Sequence, residues 1–264
     1  TSKHYWAWIK LIVMKKIKKI LNKKNKSKIV CLTAYSKNFA SEIDKYADII
    51  LVGDSLGSVL YNYTTTRKVT LTEMINHSKS VRYGVNKSLM VVDMPYGTYN
   101  NPTLALKNAK KIIKETKCDA VKLEGGKKIV KQISLLIKNK IPVMGHLGLL
   151  PQTTKGKFKS KGKTSKEIKQ LLDDAKLLQN SGVFSIVLEC IKMSTAKQIT
   201  QNLDIPTIGI GSSIYCDGQV LVTDDLLGLN VTNIKFVKKF LKLKKFINLG
   251  LKKFAYEVRY KQYP

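Results

Sequence analysis

Short apolar runs rich in β-branched residues recur along the chain, and each closes on a polar residue. The eight runs lie at 28–34, 48–54, 89–95, 120–126, 141–148, 184–190, 205–212 and 219–225. Most are nearly continuous in apolar residues, as expected of parallel strands that are buried on both faces. The stretches between them carry apolar residues three and four positions apart, which predicts helices. The clearest of these stretches lie at 101–117, 126–139, 165–181 and 194–202.

Eight strands that alternate with helices predict an α/β fold, a single (β/α)8 TIM barrel over residues 14–264. A doubly wound sheet is the structural alternative, and the strand count favours the barrel. Residues 1–13 differ in texture from the lysine-rich stretch that opens at Met14, so we expect them to be an extraneous extension. Residues 235–264 carry apolar residues at helical spacing, which predicts an amphipathic helical tail packed on the rest of the chain.

Charge is the unusual feature of the composition. The 264 residues include 48 Lys and Arg against 18 Asp and Glu, a formal net charge of +30. Only Arg67, Arg82 and Arg259 are arginines, the residue that phosphate and base recognition favour. We therefore interpret the lysine excess as compositional drift and expect no nucleic-acid partner. A basic nucleic-acid-binding protein remains the alternative from a different functional class, and its binding would weaken steeply with salt.

The cysteine pattern and the hydropathy of the sequence indicate in which cellular compartment the protein is expected. The four cysteines form no C-x-x-C pair, so we expect reduced thiols in the cytoplasm and no structural zinc site. No run approaches the roughly 18–20 apolar residues that a membrane span requires, so we expect no membrane partner.

Charged and polar residues gather at the predicted carboxyl ends of the strands, where (β/α)8 barrels carry their active sites. They are Asp54, Asp93, Lys122, Glu124, His146, Glu189 and Asp225. Lys122 and Glu124 lie two residues apart and therefore share one strand face. If Val121 and Leu123 pack against the helices, both charges point into the mouth of the barrel.

Carboxylates from separate strands form an oxygen-rich site of the kind that Mg²⁺ prefers. A metal there could hold a 2-oxo acid and polarise its keto group while a separate carboxylate removes a carbon-bound proton. Glu189 closes the apolar run FSIVLE, and removal from water strengthens a carboxylate as a base. Glu189 is therefore the candidate base, and the residues alone indicate metal-assisted proton abstraction next to a carbonyl and no more.

Seven motifs, in order and at matching spacing, resemble the ketopantoate hydroxymethyltransferase family. They are LVGDSLG (51–57), VVDMPYGTY (91–99), VKLEGG (121–126), VMGHLGLLPQ (143–152), VLEC (187–190), PTIGIG (206–211) and DGQVLV (217–222). The resemblance implies transfer of a hydroxymethyl group from 5,10-methylenetetrahydrofolate to 3-methyl-2-oxobutanoate. The product is 2-dehydropantoate, on the route to pantothenate and coenzyme A. The resemblance also implies a cytoplasmic homo-oligomer, typically a decamer.

Position by position, the resemblance also implies residue roles. One Mg²⁺ per subunit is expected at Asp54, Asp93 and Glu124. The family's contacts to the 2-oxo acid match the two aspartates together with Ser55 and Lys122, whose charge suits an anionic substrate.

The resemblance implies two further residue roles, and four segments of the chain depart from the family pattern. Glu189 matches the proton acceptor, and His146 matches a polar residue near the substrate. The chain departs from the family pattern at 62–68, 156–163, 212–213 and 224, where we expect effects on rate and folate affinity. A related Mg²⁺-dependent 2-oxo acid C–C lyase or mutase remains the enzymatic alternative. That enzyme would carry a motif resembling KKCGH, which this sequence lacks.

Overall fold

Eight parallel strands, each hydrogen-bonded to the next in chain order, close into a barrel in the computed structural model. The model describes residues 2–154, 159–230 and 234–264, with residues 2–10 described by their backbone only. The strands are β1 (Ile29–Thr33), β2 (Ile49–Val52), β3 (Leu89–Asp93), β4 (Ala120–Lys122), β5 (Val143–Gly148), β6 (Ser185–Glu189), β7 (Thr207–Ile210) and β8 (Gly218–Leu221). The Ile29 amide donates to the Asp217 carbonyl at 2.9 Å and joins the first strand to the last. The predicted (β/α)8 barrel is confirmed.

Helices connect most of the strands at the positions that the apolar spacing predicts. They are α1 (Ser2–Leu21), α2 (Lys37–Ile43), α3 (Leu56–Tyr61), α4 (Leu71–Arg82), α5 (Pro102–Thr116), α6 (Val130–Lys138), α7 (Ser165–Asn180), α8 (Met193–Asn202), α9 (Thr223–Leu226) and α10 (Leu243–Arg259). Single turns of 3-10 helix lie at Thr66–Lys68 and Lys127–Ile129. The connection between β7 and β8 differs, because residues 211–217, all of them described, contain no helix.

Local sequence explains where two of the longer helices begin. Thr70 and Glu73 form a reciprocal capping box at the start of α4, and Thr164 and Glu167 form another at the start of α7. Each box satisfies backbone N–H groups that have no partner within the helix, and a cap of this kind contributes about 1 kcal/mol.

Apolar side chains form two clusters on opposite faces of the strands. Leu89, Val91 and Ala120 belong to the inner cluster. Val121 and Leu123 belong to the outer cluster, which the helices share. Because side chains alternate along a strand, the residues that follow the inner set by two positions also point inward. The sequence-based expectation for the two faces of the VKLEGG segment is therefore confirmed.

Helix α1 and the turn that follows it cover the amino-terminal end of the barrel, which we call the floor. Ile17 and Ile20 of α1 join the inner apolar cluster. Three lysines each pair with an aspartate that immediately precedes a strand: Lys16 with Asp119 (3.2 Å), Lys23 with Asp48 (2.8 Å) and Lys24 with Asp217 (2.9 Å). Part of the lysine excess therefore has a structural role. Helix α1 passes through residue 14 without a break, and the extraneous origin of 1–13 stays a prediction.

A first compact unit extends up to Val220, and a second begins at Leu221. Helix α10 of the second unit begins at Leu243, later than the apolar spacing from 235 indicates. None of its residues, all of which are described, is buried, and Phe246 and Phe254 are 57% and 53% exposed. The helical prediction is confirmed, and the packing of its apolar side on the rest of the chain stays a prediction. Among the described residues, no helix is both long and apolar enough to cross a membrane.

Candidate active site

The carboxyl ends of four strands bring acidic side chains together. Asp93 and Glu189 are the last residues of β3 and β6, and Asp54 and Glu124 lie two residues beyond β2 and β4. Asp54, Asp93 and Glu124 are buried, whereas the Glu189 side chain remains 15% exposed. Parallel strands end at the same mouth of a barrel, which is why residues so distant in sequence meet there.

Lys122 is the cation of this cluster. Its Nζ lies 2.8 Å from Asp93 Oδ1, with both side chains almost fully buried. The other oxygen of Asp93 accepts the Asp54 backbone N–H at 3.1 Å. Burial alone would lower the pKa of Lys122, but the surrounding carboxylates, Asp93 foremost, outweigh burial and raise the pKa. The ammonium group therefore stays charged beside the Asp93 carboxyl group.

The remaining carboxyl groups hold their protons more tightly than usual. Burial, and then repulsion by Asp93, raises the pKa of Asp54 to about 7. Burial, and then repulsion by Asp54, raises the pKa of Glu124 well above its usual range. One lysine does not compensate this much negative charge out of water. The electrostatics of the cluster thus fit a bound cation.

Hydrogen bonds from other side chains and from the backbone fix the positions of the three carboxylates. Among the described residues, no three His, Cys, Asp or Glu side chains surround a common point at metal-ligand distances. Instead Lys122 engages Asp93, while Gln152 engages both Asp54 and Glu124. The donor set of three carboxylates fits Mg²⁺ in its chemistry. Coordination by all three requires their free oxygens to turn toward one point.

Gln152 is the buried residue that the predicted site did not include, although it ends the VMGHLGLLPQ motif. Its side-chain amide donates to Asp54 Oδ2 at 2.8 Å and to the Met94 carbonyl at 3.0 Å. Its backbone N–H donates to Glu124 Oε2 at 3.1 Å. The Tyr99 hydroxyl in turn donates to Gln152 Oε1. A glutamine at the end of a motif was the only sequence signal, and it carries no spacing that identifies its partners.

His146 lies between two of the glutamates. Its Nδ1 is 3.5 Å from Glu124 Oε1, and its Nε2 is 3.3 Å from Glu189 Oε2. Neither ring nitrogen makes a well-directed hydrogen bond within the described residues. Burial, and then the charge of Lys122, lowers the pKa of His146, so the ring is neutral at pH 7. A neutral ring has a single N–H to offer, so it can donate to one glutamate at a time.

Ser55 follows the first aspartate and contacts a second group of residues. Its Oγ lies 2.8 Å from the Tyr35 hydroxyl. The Tyr35 carbonyl lies 2.8 Å from His77 Nδ1, and His77 Nε2 lies 2.7 Å from the Tyr61 hydroxyl. This chain of contacts connects Ser55 to the start of the segment 62–68.

The loops that depart from the family pattern make defined contacts. Arg67 donates to the Tyr96 hydroxyl at 2.8 Å and lies 4.3 Å over the Tyr96 ring. The Lys161 amide donates to the Cys190 carbonyl at 2.9 Å, and Ser212 Oγ donates to the Ile191 carbonyl at 3.1 Å. Residues 156–158 of the second departing loop lie outside the described residues.

The four cysteines form no disulfide bond with one another and are free thiols.

Asp225 does not end a strand as predicted. Strand β8 ends at Leu221, and Asp225 lies in helix α9. Its carboxylate accepts the Asn230 side-chain amide at 3.0 Å. The run 219–225 is therefore a short strand followed by a helical turn, because the aspartates of TDDL favour the first turn of a helix.

Comparisons with known proteins agree with the motifs. The model of the family described as ketopantoate hydroxymethyltransferase matches residues 14–264. The 3-methyl-2-oxobutanoate hydroxymethyltransferase of Pelagibacter ubique (strain HTCC1062) is 61% identical over 250 residues, which are 95% of this chain and 97% of that protein. The enzyme of the same name from Anaplasma marginale (strain St. Maries) is 46% identical over 244 residues, which are 92% of this chain and 88% of that protein.

Solved structures of another kind share the fold. Phosphoenolpyruvate phosphomutase from Streptomyces platensis subsp. rosaceus matches with a TM-score of 0.62, covering 94% of this chain and 88% of that chain. Its sequence identity is 10%, so this likeness concerns the barrel alone.

The family match and the identities confirm the resemblance that the motifs indicate, and with it an enzyme that acts as a hydroxymethyltransferase. The individual residue roles, Mg²⁺ and the folate stay predictions. By the extent of the match, from residue 14 to residue 264, the chain belongs to the ketopantoate hydroxymethyltransferase family.

Proposed function

We propose that this family member transfers a hydroxymethyl group from 5,10-methylenetetrahydrofolate to 3-methyl-2-oxobutanoate with the help of one Mg²⁺ per subunit. The observation that carries the site assignment is the buried convergence of Asp54, Asp93 and Glu124 around a single lysine, Lys122. Groups of this kind are tolerated out of water when a cation or a substrate completes them.

Asp54, Asp93 and Glu124 would hold the Mg²⁺. When bound there, the ion supplies a Lewis acid that polarises the keto oxygen of the substrate. The raised pKa values of Asp54 and Glu124 support this assignment, because both arise from burial and from the negative charge of a neighbouring carboxylate.

Lys122 and Ser55 bind the 2-oxo acid. The Lys122 ammonium is buried and charged, so it offers the carboxylate of the substrate a partner that is not screened by water. The Ser55 hydroxyl, held by Tyr35, adds a neutral donor or acceptor beside it.

Glu189 removes the proton from C3 of 3-methyl-2-oxobutanoate. The electron pair left by that proton forms the new carbon–carbon bond to the one-carbon unit, water supplies the hydroxyl oxygen, and tetrahydrofolate leaves. His146 Nε2, 3.3 Å from Glu189 Oε2, limits the orientations that this carboxylate can adopt. A carboxylate that is partly exposed can release its proton to solvent between turnovers, which suits a base that must be regenerated.

Replacement of Glu189 by Gln tests the assignment. We expect exchange of the C3 proton with solvent deuterium, measured by NMR with Mg²⁺ and no folate, to slow by about 10²–10⁴-fold. Binding of the oxo acid should persist, because Gln keeps the size of the side chain. Glu42→Gln is the matched control, since Glu42 lies in an exposed ion pair with Lys45. Wild-type exchange in Glu189→Gln would remove Glu189 as the base.

Folate transfer is read separately, by adding methylenetetrahydrofolate to the exchanging enzyme and detecting 2-dehydropantoate. If the enzyme exchanges the C3 proton but forms no 2-dehydropantoate, the defect lies in transfer of the one-carbon unit from the folate. Residues 62–68 and 156–163, which differ from the family pattern, are then the segments to examine.

We further propose that the enzyme is cytoplasmic and assembles as a homo-oligomer, with a decamer as the expected size. The exposed apolar side chains of α10, including Phe246, Leu249 and Phe254, support a partner chain, since monomers rarely expose many large apolar groups together.

A further inference from the structure

We propose that Gln152 is a positioning residue for the divalent cation, fixing the Asp54 and Glu124 carboxylates relative to each other. This inference rests on the proposed metal-binding role of those two residues. Gln152 bonds to both of them, although they lie 98 and 28 positions away in the sequence. Its own position after β5 therefore joins the loops that follow β2 and β4.

Gln152 uses both N–H bonds of its side-chain amide, its Oε1 and its backbone N–H in these contacts. The two N–H bonds of its side-chain amide go to Asp54 Oδ2 and to the Met94 carbonyl. Its Oε1 accepts the Tyr99 hydroxyl, and its backbone N–H goes to Glu124 Oε2. Gln152 as a whole is 1% exposed, so water does not replace any of these bonds. Gln152 thus has one allowed orientation.

The Tyr99 hydroxyl extends this arrangement to the backbone beside Glu124. It lies 3.4 Å from the Glu124 amide, which donates to it, while it donates to Gln152. Tyr99 therefore holds the amide oxygen of Gln152 in place, so that the NH₂ group faces Asp54. Reversal of the amide would set a carbonyl oxygen against the Asp54 carboxylate and the Met94 carbonyl, both of which accept hydrogen bonds only.

The pattern of donors suits a cation site. Gln152 engages one oxygen of each carboxylate, Oδ2 of Asp54 and Oε2 of Glu124, and leaves the other oxygen of each for a ligand. Neutral amide donors hold the carboxylates without bringing a positive charge that would compete with a metal ion. Such partners orient the residues that bind a metal, and their loss typically lowers metal affinity 10–100-fold.

Gln132 provides the matched control for a purely structural role. It is also a buried glutamine, and its side-chain amide donates to the Tyr99 carbonyl at 3.2 Å. It therefore adjoins the same tyrosine but bonds to a carbonyl oxygen of the main chain. A Gln→Met change at either position removes a buried amide of the same size. Only the change at Gln152 releases a carboxylate, that of Asp54, while the backbone N–H bond to Glu124 remains.

The experiment titrates Mn²⁺, as a paramagnetic probe of the Mg²⁺ site, into the full-length metal-free proteins without substrate. Free Mn²⁺ is measured by electron paramagnetic resonance, alongside thermal unfolding. We expect Gln152→Met to bind Mn²⁺ about 10–100-fold more weakly than wild type, and Gln132→Met to stay within about threefold. Equal Mn²⁺ affinity in Gln152→Met and wild type overturns the proposal, as does an equal loss in both variants.

Tyr99→Phe decides the question if Gln152→Met does not fold. This change removes one hydroxyl, and we expect it to lower Mn²⁺ affinity several-fold by freeing the Gln152 amide. Unchanged affinity in Tyr99→Phe overturns the proposal in that case. A wild-type protein that exchanges the C3 proton but binds no Mn²⁺ overturns the metal assignment in the proposed function and this inference with it. Tight Mn²⁺ binding that Gln152→Met leaves intact refutes this inference alone.

Discussion

Replacement of Lys122 by Met tests the electrostatic description of the site most directly. The change removes the cation that lies 2.8 Å from Asp93 and leaves the neighbouring carboxylates, Asp54 and Glu124, without a compensating charge. At an effective dielectric constant of about 20, an ion pair at this distance carries about 6 kcal/mol of attraction. In the variant, protonation of one or more carboxyl groups removes their unpaired charge and so recovers part of this lost energy. The expected loss is therefore about 3–5 kcal/mol of unfolding free energy, the range for a broken buried pair.

The assay is urea unfolding at pH 7.5 in EDTA, compared with Lys79→Met. Lys79 pairs with Glu115 at 2.7 Å, but its side chain is 45% exposed, so its loss should cost about 0.2–1 kcal/mol. The two pairs have nearly the same N–O distance and differ in burial. A loss in Lys122→Met no larger than that in Lys79→Met would refute the reasoning.

Mg²⁺ and pH provide two internal checks on the same variant. At 100 times its dissociation constant, a bound ion adds about 2.7 kcal/mol to the stability of any protein that binds it only when folded. We expect Lys122→Met to gain at least as much from Mg²⁺ as wild type does, because the ion restores positive charge. The destabilisation should shrink between pH 7.5 and pH 5.5, since the carboxyl groups protonate as the pH falls through their raised pKa values.

Two further predictions concern stability and the base. Asp44 accepts the backbone N–H groups of residues 86–88 at 2.8–3.1 Å; burial alone would raise its pKa, but these donors outweigh burial and lower it. Asp44→Asn should therefore lose about 2 kcal/mol at pH 7 in urea unfolding. The difference from wild type should shrink as the pH falls below the usual range of an aspartate and through the lowered native pKa, because the native carboxylate then also protonates. Gly148, at φ +96°, would place a Cβ 2.2 Å from the Glu189 carbonyl, so Gly148→Ala should cost about 3 kcal/mol or more and slow C3 exchange. Gly97→Ala is the control, since a Cβ there meets nothing within 4 Å and costs only about 1–2 kcal/mol of backbone strain; equal losses in the two glycine variants would contradict the steric argument.

The sequence predicted the barrel and the candidate site because both follow from periodicity. Uninterrupted apolar runs identify parallel strands, and parallel strands deliver their carboxyl ends to one mouth. The sequence alone therefore assigns Asp93 and Lys122 to that mouth, and the alternation of neighbouring side chains predicts the inward direction of Lys122. These inferences need only local patterns and a rule of topology.

The parts that escaped prediction depend on contacts between segments far apart in the chain. Gln152 lies in a loop beyond β5, and its bond to Asp54 spans 98 residues with no periodic pattern to reveal it. The apolar spacing of α10 predicted a helix correctly, but the same spacing suits burial against its own chain or against another one. The lysines that follow Met14 were interpreted as compositional drift, because a count of charges does not identify the aspartates that three of them reach.

The ion pairs at the floor have a consequence for chemical modification of this lysine-rich protein. Lys16, Lys23 and Lys24 come from one segment of nine residues, yet their partners precede strands β2, β4 and β8, at separate points of the ring. Acetylation of these three amines would remove their charge, leave Asp48 and Asp217 without these counterions, and leave Asp119 with Arg82 alone, 3.9 Å away. The same reagent on an exposed lysine such as Lys169, 78% accessible, would alter little but solubility. Limited acylation would thus distinguish the lysines that pair with the aspartates at the floor of the barrel from solvent-exposed lysines such as Lys169.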